Sequence, residues 1–453
     1  MKSLYIFCMY FLFATVLVHQ LVPIPNSFYV IASSFGLILF LCATLCINRG
    51  FMQIASIVAL AAGHLLIFRY DLSFAEWHNC LTKGILMPLL FVVIPLISIP
   101  ISNGGYLESM EHFVAERRNR CGQVFLSLAV IHLALTVALN IASIIIFQRL
   151  LDPLNLPRKY LARLHIAVYS SNMMFSPYDP ALNMILLYQN VSYADYFLPA
   201  LILVTAIVGL CLLFVLMDKK LLQDVYDALP EVTKPHSLRK LIELMTHVLT
   251  LIILAFLGSL LMPDTPTIFI VSGIIVIYSL VWIFLVGTFD DLKQGLRKYN
   301  KNFDDYVQFL PFLIALSFFG SAVSLTPIRD YIGEFLVYLN GMPLYFVGMS
   351  FMIFVAGLSL CGIHMIIPVT TLALTVSPET LNLTPVAFLA LLMVSWVAGM
   401  TISPLIPFTV VTSSAMRVKA TTLAYRWGLG QLLPWVLIAP MLIIAINYVT
   451  GPT

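Results

Sequence analysis

Long apolar runs, each near the length that crosses a bilayer, alternate with short polar segments along the whole chain. A helix needs roughly 20 apolar residues to span the hydrocarbon core. The pattern predicts single spans at 4–22, 28–47, 51–68, 82–101, 194–216, 241–261, 266–287, 307–325 and 430–449. Two further runs, 124–148 and 343–376, are interrupted midway, by Asn140-Ile141-Ala142-Ser143 and by Cys361-Gly362-Ile363-His364, and predict helical hairpins. Two more, 161–189 and 383–416, each carry a close pair of prolines and predict broken helices. The polar stretches 218–240 and 289–306 read as loops. The amphipathic stretches 103–120 and 328–341 are too polar to span and suit the membrane interface.

The two proline pairs belong to one repeated motif. Ser170–Ile185 reads SSNMMFSPYDPALNMI and Val397–Thr412 reads VAGMTISPLIPFTVVT. Aligned on S-P-x-x-P, Ser176 meets Ser403, Pro177 meets Pro404, Pro180 meets Pro407 and Met173 meets Met400. The offset is 403 − 176 = 227, about half of the 453 residues. A proline lacks the backbone donor and forces the preceding residue out of the helical region, so each pair unwinds its helix. Unwound backbone at membrane depth survives only inside protein or along a cavity. Matching breaks in two halves are the sequence pointer to a transporter's binding site.

Composition agrees with the pattern: the chain is 61% hydrophobic and 10% charged, with mean hydropathy +0.99. The formal charge of +3 gives no reason to expect nucleic acid. The seven cysteines (Cys8, Cys42, Cys46, Cys80, Cys121, Cys211, Cys361) fall mostly in apolar runs and read as packing residues. The first run, 4–22, lacks a small-x-small cleavage site and reads as a retained helix.

Lys and Arg collect in short cytoplasmic loops. With the N-terminus inside and both hairpins re-entrant, the groups Arg117/Arg118/Arg120, Arg149/Arg158/Lys159/Arg163, Lys219/Lys220, Lys293/Arg297/Lys298 and Arg417/Lys419 all fall inside. The expected fold is therefore an all-α polytopic membrane protein with about eleven transmembrane helices and two re-entrant hairpins. The C-terminus lies outside, and the halves form an inverted-topology repeat around two broken helices. Peripheral helices occupy 1–79, the first repeat 80–217, a connecting region 218–306 and the second repeat 307–453. Short loops and small termini point to a bacterial inner membrane.

From about residue 80 to 450 the order of interfacial helix, hairpin, broken helix and inverted repeat resembles the ion transporter superfamily, the fold of divalent anion:sodium symporters and arsenite-antiporter-like proteins. Asn140-Ile141-Ala142-Ser143 stands where that family has its Ser-Asn-Thr tip, and Gly362-Ile363-His364-Met365 forms the second tip. The resemblance implies an elevator-type carrier, a homodimer, a small anionic (carboxylate-like) solute and a coupling cation, Na+ or H+. It implies no cofactor beyond that ion and no resident metal.

The residues themselves sharpen this. Asp179 lies between two helix-breaking prolines, where a carboxylate binds a cation, carries a proton or caps the following half-helix. Ser170, Ser171, Asn172, Ser176 and Asn183 cluster around it, and Asn140 with Ser143 supplies the hairpin counterpart. His364, Thr401, Ser403, Thr409 and Thr412 would complete a second, less polar half-site. His132 and Thr136 read as packing on the first hairpin arm.

The leading expectation is secondary active transport of a small anion. A cation/proton antiporter or a metalloid-oxyanion exporter are alternatives on the same fold, and Asp179 favours a cation over direct anion contact. A polytopic enzyme acting on lipid-linked substrates, or a membrane scaffold, would need neither of the paired helix breaks.

Overall fold

The computed structural model describes residues 26–47, 51–83, 93–103, 121–229, 239–302, 309–328 and 341–451, with isolated positions elsewhere. The expected first span, 4–22, and both interfacial stretches lie largely outside them. The described residues are almost entirely helical and contain no strand. Six of these helices are long and apolar enough to cross a membrane: Cys121–Leu139, Tyr193–Leu216, Arg239–Leu261, Thr267–Val286, Pro385–Ile402 and Thr422–Thr450. The protein is an all-α, multi-pass membrane protein.

Both proline pairs break their helices where expected. The first runs Arg158–Phe175 and resumes at Pro180–Gln189; the second runs Pro385–Ile402 and resumes at Pro407–Ala415. All four residues preceding a break proline are extended or directly cap the break. Ser176 has ψ 120°, Asp179 ψ 125°, Ser403 ψ 125° and Ile406 ψ 154°. This is the conformation that the proline ring imposes on its predecessor.

The hairpins form as well. Cys121–Leu139 turns at Asn140 into Ala142–Leu151, and Leu344–Leu360 turns through residues 361–365 into Ile366–Thr375. Each turn needs one left-handed residue. Asn140 supplies φ 48°, which an Asn tolerates, and Gly362 supplies φ 87°.

The two halves use the same pairings. The first arm of each hairpin packs along the first half of the broken helix that follows it. The second arm crosses over: Ala142–Leu151 packs on Pro407–Ala415, and Ile366–Thr375 packs on Pro180–Gln189. Gln189 Nε2 donates to the Ala373 carbonyl at 2.7 Å within the second crossing. The broken helices occupy the middle of the bundle. Pro385–Ile402 is almost wholly buried, whereas Arg239–Leu261 keeps an exposed apolar face that suits lipid.

Three expectations are corrected. The stretch 218–240 is no simple loop: it folds into the amphipathic helix Lys219–Ala228, started by Asp218, whose carboxylate accepts from Leu221 N at 3.1 Å. The stretch 289–306 likewise forms Phe289–Asn302, where Thr288 and Asp291 bond reciprocally as a capping box. Of the expected span at 82–101, the described residues are not one continuous helix. Helix Phe74–Lys83 ends there, and a 3-10 turn at Ile94–Ile97 leads into Ser98–Asn103. Pro95, in the 3-10 turn, and Pro100, in the short helix after it, give the reason in the described part, because hydropathy alone ignores the backbone donors that prolines remove.

Candidate functional site

The first break collects most of the polar groups singled out in the sequence. Asp179 is buried, and its carboxylate caps the second half-helix: Oδ1 accepts from Ala181 N at 2.9 Å and from Leu182 N at 3.4 Å. Its other oxygen accepts from Asn172 Nδ2 at 3.2 Å, across the break. Asn183 Nδ2 donates back to the Pro177 carbonyl at 2.5 Å and the Asp179 carbonyl at 3.0 Å. Ser176 Oγ accepts from Tyr178 N at 3.2 Å, and Tyr193 Oη donates to the Phe175 carbonyl at 2.9 Å. The carbonyls freed by the prolines are thus largely met by protein donors.

Two amide oxygens of this network are left over. Asn172 Oδ1 and Asn183 Oδ1 are buried acceptors with no hydrogen-bond partner in the protein. A buried acceptor left unpaired costs about 1–3 kcal/mol. Two free amide oxygens flanking a buried carboxylate form a donor set suited to a hard cation such as Na+, or to water carrying a proton. Ser170 Oγ is also unpartnered, whereas Ser171 Oγ returns to the Ala167 carbonyl of its own helix at 2.7 Å.

The first hairpin tip reaches this region through a residue that the sequence reading missed. Tyr169 Oη donates to Asn140 Oδ1 at 2.9 Å, and its ring stacks on Phe408 at 4.9 Å. One tyrosine therefore joins the first hairpin, the first broken helix and the second half of the second broken helix. Its position three residues before Asn172, one helical turn away, was the available signal. Behind the tip, Ser143 Oγ donates to the Asn140 carbonyl at 2.5 Å and bonds Thr136 Oγ1 at 2.9 Å. Asn140 and Ser143 are thus in one network with Thr136.

The second break is different. Thr401 Oγ1 bonds the Val397 carbonyl of its own helix at 2.9 Å, Ser403 is buried, and the Thr409 and Thr412 hydroxyls have no partner. His364 Nδ1 accepts from Ile366 N at 3.2 Å and so caps the second arm of its own hairpin. Its tip sits against the break: a Cβ on Gly362 would meet Leu405 Cδ1 at 3.4 Å. Where the first break has a side-chain network, the second has a backbone contact. Gly428, at the end of the π-helical turn Thr422–Gly428, lies so close to Thr401 that a Cβ there would run into the Thr401 carbonyl oxygen.

At the open end of the first hairpin, Lys159 Nζ pairs with Asp218 at 2.6 Å, and Arg417 faces Asp152 at 4.0 Å. Cys121 Sγ lies 3.7 Å from the Leu222 carbonyl. Both ends of this hairpin therefore meet the same end of the bundle. Among the described residues, no group of three or more His, Cys, Asp or Glu is placed to hold a metal ion.

No family model matches the chain, and neither does any curated protein. Among solved structures, the fold matches the YdaH transporter of Alcanivorax borkumensis with a TM-score of 0.58 at 16% identity. The match covers 88% of this chain and 99% of that one. The chain thus has the fold of a polytopic transporter.

Proposed function

We propose that the protein is a secondary active transporter that moves a small anion by alternating access, with Na+ or H+ carried at Asp179. One observation bears most of the reading: a buried carboxylate sits at a proline-made helix break, beside two unpartnered amide oxygens and next to a hairpin tip. A cation bound there ligates those oxygens, a proton on the carboxyl gives one of them a donor, and either removes the charge that would otherwise repel an anionic solute. The orientation follows the basic residues, with Arg149, Lys159 and Arg417 on the cytoplasmic side, and the matching pairings of the two halves support an inverted repeat. The fold shared with a transporter favours transport over an enzymatic role. By resemblance to the ion transporter superfamily, the hairpins and broken helices move as a unit, within a homodimer in a bacterial inner membrane.

Because the carboxylate and amide oxygens suit a cation better than an anion, cation/proton exchange on the same fold is the second reading. Proteoliposome uptake of di- and tricarboxylates, other anions and arsenite, under imposed Na+ or proton gradients, tests both. Gradient-dependent uptake that Asp179→Asn abolishes is expected. Anion uptake that persists unchanged in Asp179→Asn would remove Asp179 from the transport site, and cation flux without anion flux would select the second reading.

A further inference from the structure

A cleft at the open end of the first hairpin lies outside the site described above. It encloses about 460 Å³ between the second arm of that hairpin, Ala142–Leu151, and the second half of the second broken helix, Pro407–Ala415. One helix starts at the hairpin tip and the other at a proline break, and their far ends meet where Arg417 faces Asp152 at 4.0 Å. Along the first wall, Ile145 is followed by Gln148, Arg149 and Asp152. Along the second, Val410 and Val411 are followed by Ser414 and Arg417. Each wall thus changes from apolar to charged over seven residues, 152 − 145 and 417 − 410, a rise of about 10 Å.

Neither end of the cleft is closed by protein. Ile145 and Val410 are exposed large apolar residues. Apolar walls at membrane depth hold water poorly, because an ordered water needs several polar partners, whereas an acyl chain needs none. The charged end is equally open. Arg149 is exposed and takes part in none of the ion pairs among the described residues. The Arg417 side chain is exposed too, and 4.0 Å from Asp152 is too long for a hydrogen bond, so its fork of donors is free. Asp152 is held instead by Gln148 Nε2, which donates to it at 2.9 Å. Arg417 also sits at φ 55°, just past the end of its half-helix, where glycine or asparagine is the usual residue. The mouth carries two guanidiniums and one carboxylate, a net charge of 2 − 1 = +1.

We propose that this cleft seats one anionic phospholipid, with its phosphate between Arg149 and Arg417 and one acyl chain along Ile145, Val410 and Val411. Guanidiniums bind phosphate oxygens through paired hydrogen bonds, and basic pockets between helices at a bilayer edge take such head groups. A small hydrophilic anion would use the mouth alone and leave the apolar end without a role. The lipid bridges a hairpin of one half to a broken helix of the other. The proposal needs only the membrane fold, so it stands or falls independently of the transported solute.

Native mass spectrometry of the full-length protein, titrated in detergent with dioleoylphosphatidylglycerol or dioleoylphosphatidylcholine, tests it. One retained phosphatidylglycerol is expected, favoured over phosphatidylcholine by about fivefold, the effect of one net positive charge at a bilayer surface. Arg149→Gln combined with Arg417→Gln should abolish that preference, and Asp152→Asn should increase it. Lys219→Gln combined with Lys220→Gln removes two exposed charges from the same basic edge and should leave the preference unchanged. No preference in the wild type overturns the proposal, and so does an equal loss in the lysine variant, since the attraction then belongs to the whole edge. Displacement of the lipid by excess glycerophosphate also overturns it and assigns the mouth to a free anion. Val410→Trp fills the apolar end and should weaken binding of both lipids, which keeps the proposal open to refutation if the arginine variant fails to fold. Lipid binding unchanged in Val410→Trp overturns the seat for the chain.

Discussion

The two S-P-x-x-P breaks share a sequence motif and a backbone course, yet they spend it differently. At the first, Asp179, Asn172 and Asn183 occupy the space that the prolines open, and two amide oxygens remain available. At the second, Leu405 and Ile406 replace Tyr178 and Asp179, and the space is closed by backbone, with Gly428 against the Thr401 carbonyl. One motif thus carries a buried polar network in one half and a tight packing joint in the other. Proline spacing sets where backbone unwinds; the residues between the prolines set what the unwound segment is for.

The comparison breaks most sharply at Gly428. Its Cβ position is filled by backbone, not by a side chain that could swing away, so Gly428→Ala forces the last helix off the second break. The expected outcome is loss of folded protein, read as a collapsed monodisperse peak in detergent; a well-folded Gly428→Ala would show that the joint is loose. Next in size is Asp179. Asp179→Ala removes a cap and strands Asn172 Nδ2, a loss of about 2–4 kcal/mol. Asp179→Asn keeps an oxygen for Ala181 N and should cost much less stability while still abolishing coupled flux. Thermal unfolding of both variants beside transport separates the capping role from the binding role. Equal Tm losses in the two would show that the cap itself needs the carboxylate charge, so that capping and binding are not separate roles.

Much of this architecture was legible in the sequence because its causes are local. Four prolines dictate four extended predecessors, and Asn140 and Gly362 each mark a turn by their tolerance of positive φ. Polar helices were harder. Lys219–Ala228 and Phe289–Asn302 carry too many charges to read as spans, and their caps at Asp218 and Thr288 signal helix only when the amphipathic period is weighed with them. The end of the run at 82–101 shows the opposite error, hydropathy outvoting Pro95 and Pro100. The contact between His132 and His165, whose rings meet edge to face, was not legible at all. They are 165 − 132 = 33 residues apart, and only the packing of hairpin arm on broken helix brings the rings together. Tyr169 lay between these cases: near enough to Asn172 to suspect, but tied to Asn140 and Phe408 only by tertiary structure.

Tyr169 sharpens the comparison because it ties the first broken helix to the second. Tyr169→Phe keeps the stack on Phe408 and deletes only the bond to Asn140, so stability should fall by about 1 kcal/mol. Tyr169→Ala also loses the stack and opens a cavity, with a cost of about 3–5 kcal/mol. If Tyr169→Phe alters the apparent affinity for the transported solute while Tm barely moves, the hydroxyl positions the hairpin tip. If both variants lose only stability, Tyr169 is packing.

The smallest effect is expected at the membrane edge, where Lys159 and Asp218 tie the start of the first broken helix to the end of the span Tyr193–Leu216. The hydrogen bond from Lys159, with that from Leu221 N, holds the Asp218 carboxyl below its usual range. A carboxylate whose pKa is lowered by folding contributes stability above its unfolded pKa and loses it as pH falls through the folded one. The contribution is therefore intact at neutral pH and disappears only in acid. The pair is partly solvated, so its worth is at most about 1 kcal/mol and declines with salt. Lys159→Met should lower Tm slightly at pH 7, and the difference should shrink only as the pH falls through the lowered pKa of the folded Asp218 carboxyl. A Tm difference that stays constant through that fall would assign the effect to lost packing of the lysine stem rather than to charge.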